Sequence, residues 1–218
     1  MNKKDQIQAE MATALPSRQK FNFRHPSVTL ITGPRGSGKT VTAHSIAQEY
    51  HEDKKIDCNV ICTEGLHRRW KNPPDWIKLI NVQYMRIEPD KLTIWDDAQL
   101  HLHARRFMQR QNVTLDQIIS LSRHRKSSLI ITSQYTARID RNIVMAADQW
   151  VNKRPKTLGT RMERSEIRKQ LENVQKGYAQ KNFQDPRQYS YVINDYEGWV
   201  GPTKLPKHWT IEIGDWAA

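Results

Sequence analysis

The sequence predicts an α/β fold with a mainly parallel central sheet, and three observations carry that prediction. From Phe21 onward, short apolar runs rich in β-branched residues alternate with longer segments of helical character, the pattern of strands joined by crossover helices that cover both faces of a sheet. The first such run, Val28–Thr32, opens directly into Gly33-Pro34-Arg35-Gly36-Ser37-Gly38-Lys39-Thr40 and then into a helical segment. A later apolar run ends in two adjacent carboxylates, Asp96 and Asp97, which places acidic groups at a strand end, where open α/β sheets bind ligands.

The elements follow in order. Residues 1–20 are polar and weakly periodic and read as a tail or short helix. The strand at 28–32 and the helix at 40–50 flank the glycine-rich loop. A second buried strand spans 59–63. The loop at 64–74 is basic and aromatic: Arg68, Arg69, Trp70 and Lys71 either grip nucleic acid by charge and stacking, or Trp70 is a lid over the core in a solvated loop. The next strand is 91–97, followed by a helix at 114–124, a strand at 128–134, a short helix at 140–147 and a strand at 149–153, giving a five-stranded core. Residues 156–181 are densely charged with i, i+4 pairings and predict an exposed helix. Alternation through Tyr189, Tyr191 and Ile193, a turn at 194–198 and a return through Trp199 predict a hairpin. The chain divides into a tail at 1–20, a core at 21–155 and an appendage of charged helix and hairpin at 156–218.

At 218 residues the chain has room for one such domain with a sizeable core. It carries 35 Lys and Arg against 23 Asp and Glu, a net charge of +12, which favours a polyanionic partner or a membrane surface. It has no apolar run long enough for a membrane-spanning helix and no signal-peptide core at its start, so a cytoplasmic location is expected. Cys58 and Cys62, four residues apart in one predicted strand, would lie roughly 13 Å from each other, too far for a disulfide.

The run at 33–40 matches the phosphate-binding pattern G-x-x-x-x-G-K-[ST] at every fixed position. Its glycines allow a tight turn whose N–H groups converge on phosphate, and the following helix adds partial positive charge at its N-terminus. Gly33, Pro34, Arg35, Gly36, Ser37, Gly38, Lys39 and Thr40 are therefore the candidate nucleotide-binding residues. Lys39 is expected to reach the β- and γ-phosphates, and Thr40 to ligate Mg2+. Asp96 is the expected carboxylate on Mg2+, and Asp97 beside it can accept a proton from, or orient, the water that attacks the γ-phosphate. Gln134, ending the next strand, can report whether that phosphate is present. The bland alternatives are a strand end dipping into solvent for the acids and a polar cap for Gln134.

The order GPRGSGKT, LTIWDD and SLSRHRKSSLIITSQ, followed by an arginine-bearing segment at 137–141, resembles the HerA/FtsK superfamily of P-loop ATPases. The compact size is similar to the genome-packaging ATPases of tailless icosahedral viruses with an internal membrane, and residues 122–141 also resemble the zonula occludens toxin type of filamentous-phage assembly ATPase. The resemblance covers about residues 28–155. It implies a three-layer RecA-like fold and a motor that uses ATP and Mg2+ to drive double-stranded DNA into a preformed capsid. It also implies a homo-oligomeric ring, expected to be a hexamer, in the host cytoplasm or at a virion vertex, with capsid-vertex or membrane proteins as further partners. In such rings an arginine from the next subunit completes the site, and Arg123, Arg125 and Arg141 are the candidates. Two departures stand out: Asp97 occupies a position where many relatives carry glutamate, and the transmembrane segment of the filamentous-phage proteins is missing.

Other readings remain open at the sequence level. A phosphate loop also suits an assembly or export ATPase without DNA, a small-molecule kinase with Arg68-Arg69 or Arg105-Arg106 as a lid, or a scaffold without turnover. His101 and His103 form a possible metal pair lacking a third ligand. Trp95, Trp150, Trp199, Trp209 and Trp216 read as packing residues more than base platforms.

Overall fold

The computed structural model describes residues 20–62, 70, 72–81, 87–98, 115–139, 141–161, 163–181, 183–194, 197–210 and 213. The strands are β1 (Val28–Thr32), β2 (Cys58–Cys62), β3 (Ile77–Asn81), β4 (Leu92–Trp95), β5 (Ser128–Ser133), β6 (Gln149–Asn152), β7 (Tyr189–Asn194) and β8 (Gly198–Pro202). The helices are α1 (Lys39–Lys54), α2 (Leu115–His124), α3 (Arg141–Ala146), α4 (Thr157–Arg161) and α5 (Ser165–Lys181). The strands form one sheet in the order β3-β2-β4-β5-β1-β6-β7-β8. The first six are parallel, and β7 and β8 add antiparallel at one edge.

Burial explains why the central strands are apolar along their whole length. Every residue of β1, β4, β5 and β6 is buried, as expected of parallel strands covered on both faces. The strand period of two then sorts neighbours into two cores. Ile31, Val60, Ile94, Ile130 and Val151 face α1, with Ala43, Ile46, Ala47 and Tyr50. Leu30, Ile61, Trp95, Ile131 and Trp150 face the opposite layer, with Ile119, Ile143, Ile167 and Leu171. Helix α1 ends where Lys55 takes a left-handed conformation (φ 58°) and its N–H bonds back to the His51 carbonyl.

Three features differ from the sequence reading. A sixth parallel strand, β3, follows the Pro73-Pro74 pair; as an edge strand it is only half buried, with Lys78 exposed, so it lacks the apolar run that marks an inner strand. The charged stretch at 156–181 is two helices, and α5 is not simply exposed, since it buries Ile167, Leu171, Val174 and Tyr178. The hairpin continues the main sheet, pairing Val151 with Val192, and Val192 and Trp199 lie in the α1-side core. Trp70 is buried in that same core, which fits the lid reading of this residue. The tail at 1–19, the loop residues 63–69 and 71, and His101, His103, Arg105, Arg106 and Trp216 fall outside the described residues.

Candidate active site

Parallel pairing brings the ends of β1, β4, β5 and β6 to one edge of the sheet. The strand order places β5 between β1 and β4, so the loop after β1 and the acids after β4 flank the residues that end β5. Gly33 N–H bonds to the Ser133 carbonyl at 3.3 Å, and Ser37 N–H closes the loop onto the Pro34 carbonyl at 3.2 Å. Gly38 caps α1 with φ 88°, a conformation that glycine adopts without the Cβ clash other residues suffer. The first turn of α1 therefore points at the space above the loop.

The side chains of Thr40, Asp96 and Thr132 meet there. Thr40 Oγ1 donates to Asp96 Oδ2 at 2.9 Å. Thr132, on the intervening strand, donates to Asp96 Oδ1 at 2.5 Å and accepts from the Asp97 N–H at 2.8 Å. One hydroxyl thus fixes both acids. Asp96 is 3% exposed, and burial holds its carboxyl above the usual range, with Asp97 adding to this and the hydroxyls of Thr132 and Thr40 opposing it. Asp97 has φ 44°, strained for a non-glycine residue, and its Oδ1 is buried without a hydrogen-bond partner. Lys39 folds back, its Nζ donating to the Pro34 carbonyl at 3.1 Å. Burial holds its ammonium below the ordinary lysine value, opposed by Asp97 and Asp96.

A cavity of about 740 Å³ adjoins the loop, lined by Gly36 and 38–41 on one side and by 187–189, 202–205 and Trp209 on the other; its size falls within the range of small-molecule sites. A second cleft of about 570 Å³ lies between 34–37, 154–157 and 185–187, where Arg35, Arg154, Lys156 and Arg187 make a basic rim. Gln134 sits beside Gly33 and Pro34 around a small void that Lys153 and Glu163 also line. Glu163 fastens the turn after Gln134, accepting from Thr136 N–H at 2.9 Å, Thr136 Oγ1 at 2.5 Å and Ala137 N–H at 3.0 Å.

The arginine candidates separate. Arg125 donates to the Ile87 carbonyl, and its own carbonyl accepts from Asp90 N–H at 3.1 Å, just before β4. Arg123, 61% exposed, lies 3.8 Å from Asp148, which in turn accepts from the Val28 N–H that starts β1. Both stand at the opposite edge of the sheet, about 20 Å from their own phosphate loop at the rise of a six-residue strand. Arg141 opens α3, after the 3-10 turn Thr136–Arg138 that follows β5. The sequence reading missed Thr132, Lys153, Arg154, Glu163 and Arg187. A threonine inside an otherwise apolar run was the one signal for Thr132; the others have no motif and reach the site only through the fold.

No known family profile matches the chain, and no curated protein matches it. Solved structures do. The genome packaging NTPase B204 from Sulfolobus turreted icosahedral virus 2 is 12% identical, with 84% of this chain and 99% of that one covered and a TM-score of 0.55. The fold is that of a P-loop NTPase. The pCW3 conjugation coupling protein TcpA is 11% identical over 89% of this chain and 66% of that one, also with a TM-score of 0.55. A P-loop NTPase fold is what the resemblance of the sequence motifs implies. The N-terminal domain of zonular occludens toxin from Neisseria meningitidis is 15% identical over 59% and 77%, at a TM-score of 0.37, too slight a likeness to argue from. B204 has been solved with ATP-gammaS and with AMPPCP.

Proposed function

We propose that this P-loop NTPase hydrolyses ATP to move double-stranded DNA, working as a ring of identical copies that packages a viral genome. The observation that carries the hydrolytic part is the Thr132 hydroxyl holding Asp96 and Asp97 together opposite Thr40. A kinase needs one carboxylate for the metal and a pocket for its acceptor. Here a second, partly unpartnered carboxylate stands beside the first, suited to a water.

In this reading the triphosphate lies along the loop N–H groups and the N-terminus of α1, and Lys39 exchanges its bond to the Pro34 carbonyl for phosphate oxygens. The Thr40 hydroxyl and Asp96 carboxylate, 2.9 Å apart, are hard oxygen donors that fit Mg2+, which takes its remaining positions from water and phosphate. Bound there, Mg2+ would neutralise charge on the phosphate oxygens. Asp97 orients the attacking water and takes its proton, and Gln134, beside the loop, senses the γ-phosphate. The neighbouring copy presents an arginine from among Arg123, Arg125 and Arg141 to the same phosphate. The DNA part is supported by the net charge of +12 and by the likeness to B204, a genome packaging NTPase.

Phosphate release tests both parts. Lys39→Ala is expected to abolish turnover with or without DNA, and retained DNA-stimulated hydrolysis contradicts the site. Stimulation of the unmodified protein by double-stranded DNA supports the motor; turnover indifferent to DNA points instead to an assembly or export ATPase. A mass measurement in the same conditions reads the ring.

A further inference from the structure

Beneath the phosphate loop runs a lysine that the hydrolytic scheme does not use. Lys153 follows β6, which pairs directly with β1, and its own N–H bonds to the Thr32 carbonyl at 2.8 Å. The side chain is 1% exposed. A Cβ placed on Gly33 would come within 2.6 Å of Lys153 Cβ, and one on Gly38 within 3.8 Å of its Nζ, so the lysine stem tracks the loop from its first glycine to its last. The ammonium has three protons, and three acceptors meet it: the Arg187 carbonyl at 2.7 Å, Thr203 Oγ1 at 3.1 Å and Ser190 Oγ at 3.2 Å. All three are neutral, and all belong to the C-terminal segment that walls the 740 Å³ cavity or to the strand beside it.

A buried cation without a counter-charge is costly. Among the described residues the carboxylate acting on Lys153 is Asp185, but Asp185 is engaged by Arg187 through contacts of 3.0 Å from Nε and 3.0 Å from Nη2. Lys39, across the loop, repels it, and Arg154 is the next residue along its own segment. Two lysines therefore line one loop: Asp97 and Asp96 offset the charge of Lys39, whereas the carboxylate that acts on Lys153 is already engaged by Arg187.

We propose that Lys153 is a positioning residue of the nucleotide site, latching the C-terminal segment to the underside of the phosphate loop and supplying a second cation that a bound polyphosphate neutralises through the loop. This rests on the nucleotide reading above. With every proton of the ammonium already donated, Lys153 acts by charge and by holding the cavity wall, not by touching phosphate. Burial, with Lys39 adding to it and Asp185 opposing, lowers its pKa to about 7, so near neutrality an arriving anion draws a proton onto it. By reciprocity, an anion that makes the ammonium tenfold easier to protonate is itself bound tenfold tighter by the protonated form.

Calorimetric titration of the full chain with Mg2+ and AMPPCP at pH 8, in two buffers of different ionisation enthalpy, tests this. The unmodified protein is expected to take up a large fraction of a proton on binding at pH 8 and almost none at pH 6. Lys153→Met, of similar length and uncharged, is expected to bind about tenfold more weakly at pH 6, where Lys153 is already charged, and about twofold more weakly at pH 8, and to lose the uptake at pH 8. Lys153→Met binding as tightly as the unmodified protein at pH 6, with uptake unchanged at pH 8, overturns the role of Lys153 and leaves the nucleotide site standing. If the variant does not fold, the unmodified protein decides: binding at pH 8 without proton uptake overturns the inference. Absence of any AMPPCP binding by the unmodified protein overturns the nucleotide reading, and this inference with it.

Discussion

Thr132 carries more of the site than its position suggests. A hydroxyl buried in a strand must spend both its proton and a lone pair, and here the proton goes to Asp96 while the lone pair takes the Asp97 N–H. Thr132→Val keeps the shape and removes both bonds. It leaves Asp96 with Thr40 alone and frees the strained Asp97 backbone. We expect nucleotide affinity to change little and kcat to fall about 10- to 100-fold, the usual consequence of removing a partner that orients a ligating carboxylate; steady-state ATPase assays separate the two. Thr132→Ser, which retains the hydroxyl, should recover most of the rate, and equal loss in both variants contradicts the role. The left-handed backbone at Asp97 (φ 44°) sets the direction from which its short carboxylate approaches the site.

At the scale of elements, α1 is unusual in facing aromatic and imidazole groups along its outer side. His44 Nδ1 lies 3.0 Å from His208 Nε2, Trp70 stacks on His208, and His51 stacks on Trp76 with ring centroids 4.6 Å apart. These contacts tie the phosphate-loop helix to the segment around 208–209 that borders the cavity. Burial depresses the pKa of His44 to about 3, with His208 adding to it, and that of His208 to about 4. Folded imidazoles held neutral have depressed values, so the unfolded chain binds more protons once pH falls below about 6.5. The stability they contribute is complete above that value and is lost progressively as pH falls toward 4 and 3. His44, the more deeply buried, loses its contribution over the wider pH range, and His208, shifted less, over a narrower one. Urea midpoints at pH 7 and pH 5 measure this, with a marked drop expected at pH 5; a flat profile contradicts it.

For the whole molecule, the consequential finding is that residues 186–203 belong to the sheet and to the site together. Val192 and Trp199 fill the α1-side core, Tyr178 on α5 donates to the Tyr189 carbonyl at 2.8 Å, and Lys153 finds its three acceptors there. Truncation after residue 183 would expose β6 as an edge, uncover that core and strand a buried ammonium. It is expected to give an aggregating or unfolded protein instead of a smaller active ATPase, as judged by soluble yield and a cooperative thermal transition. A soluble truncated form that still binds nucleotide would show the C-terminal segment to be a true appendage. Among the described residues no helix is long and apolar enough to cross a membrane.

Local chemistry made part of this molecule legible from the chain alone. The loop at 33–40, the apolar runs that became β1, β4, β5 and β6, and the acids after β4 could be read because backbone freedom, continuous burial and the emergence of a strand end each impose a composition on neighbouring residues. Tertiary structure alone decided that β5 lies between β1 and β4, so that Thr132 reaches both acids, and that Lys153 and Arg187 meet beneath the loop 34 residues apart in sequence. It also decided that Arg123 and Arg125 stand at the far edge and that the hairpin extends the sheet. Those relations depend on strand order and register, which are settled by the packing of whole faces, and no window of sequence contains them.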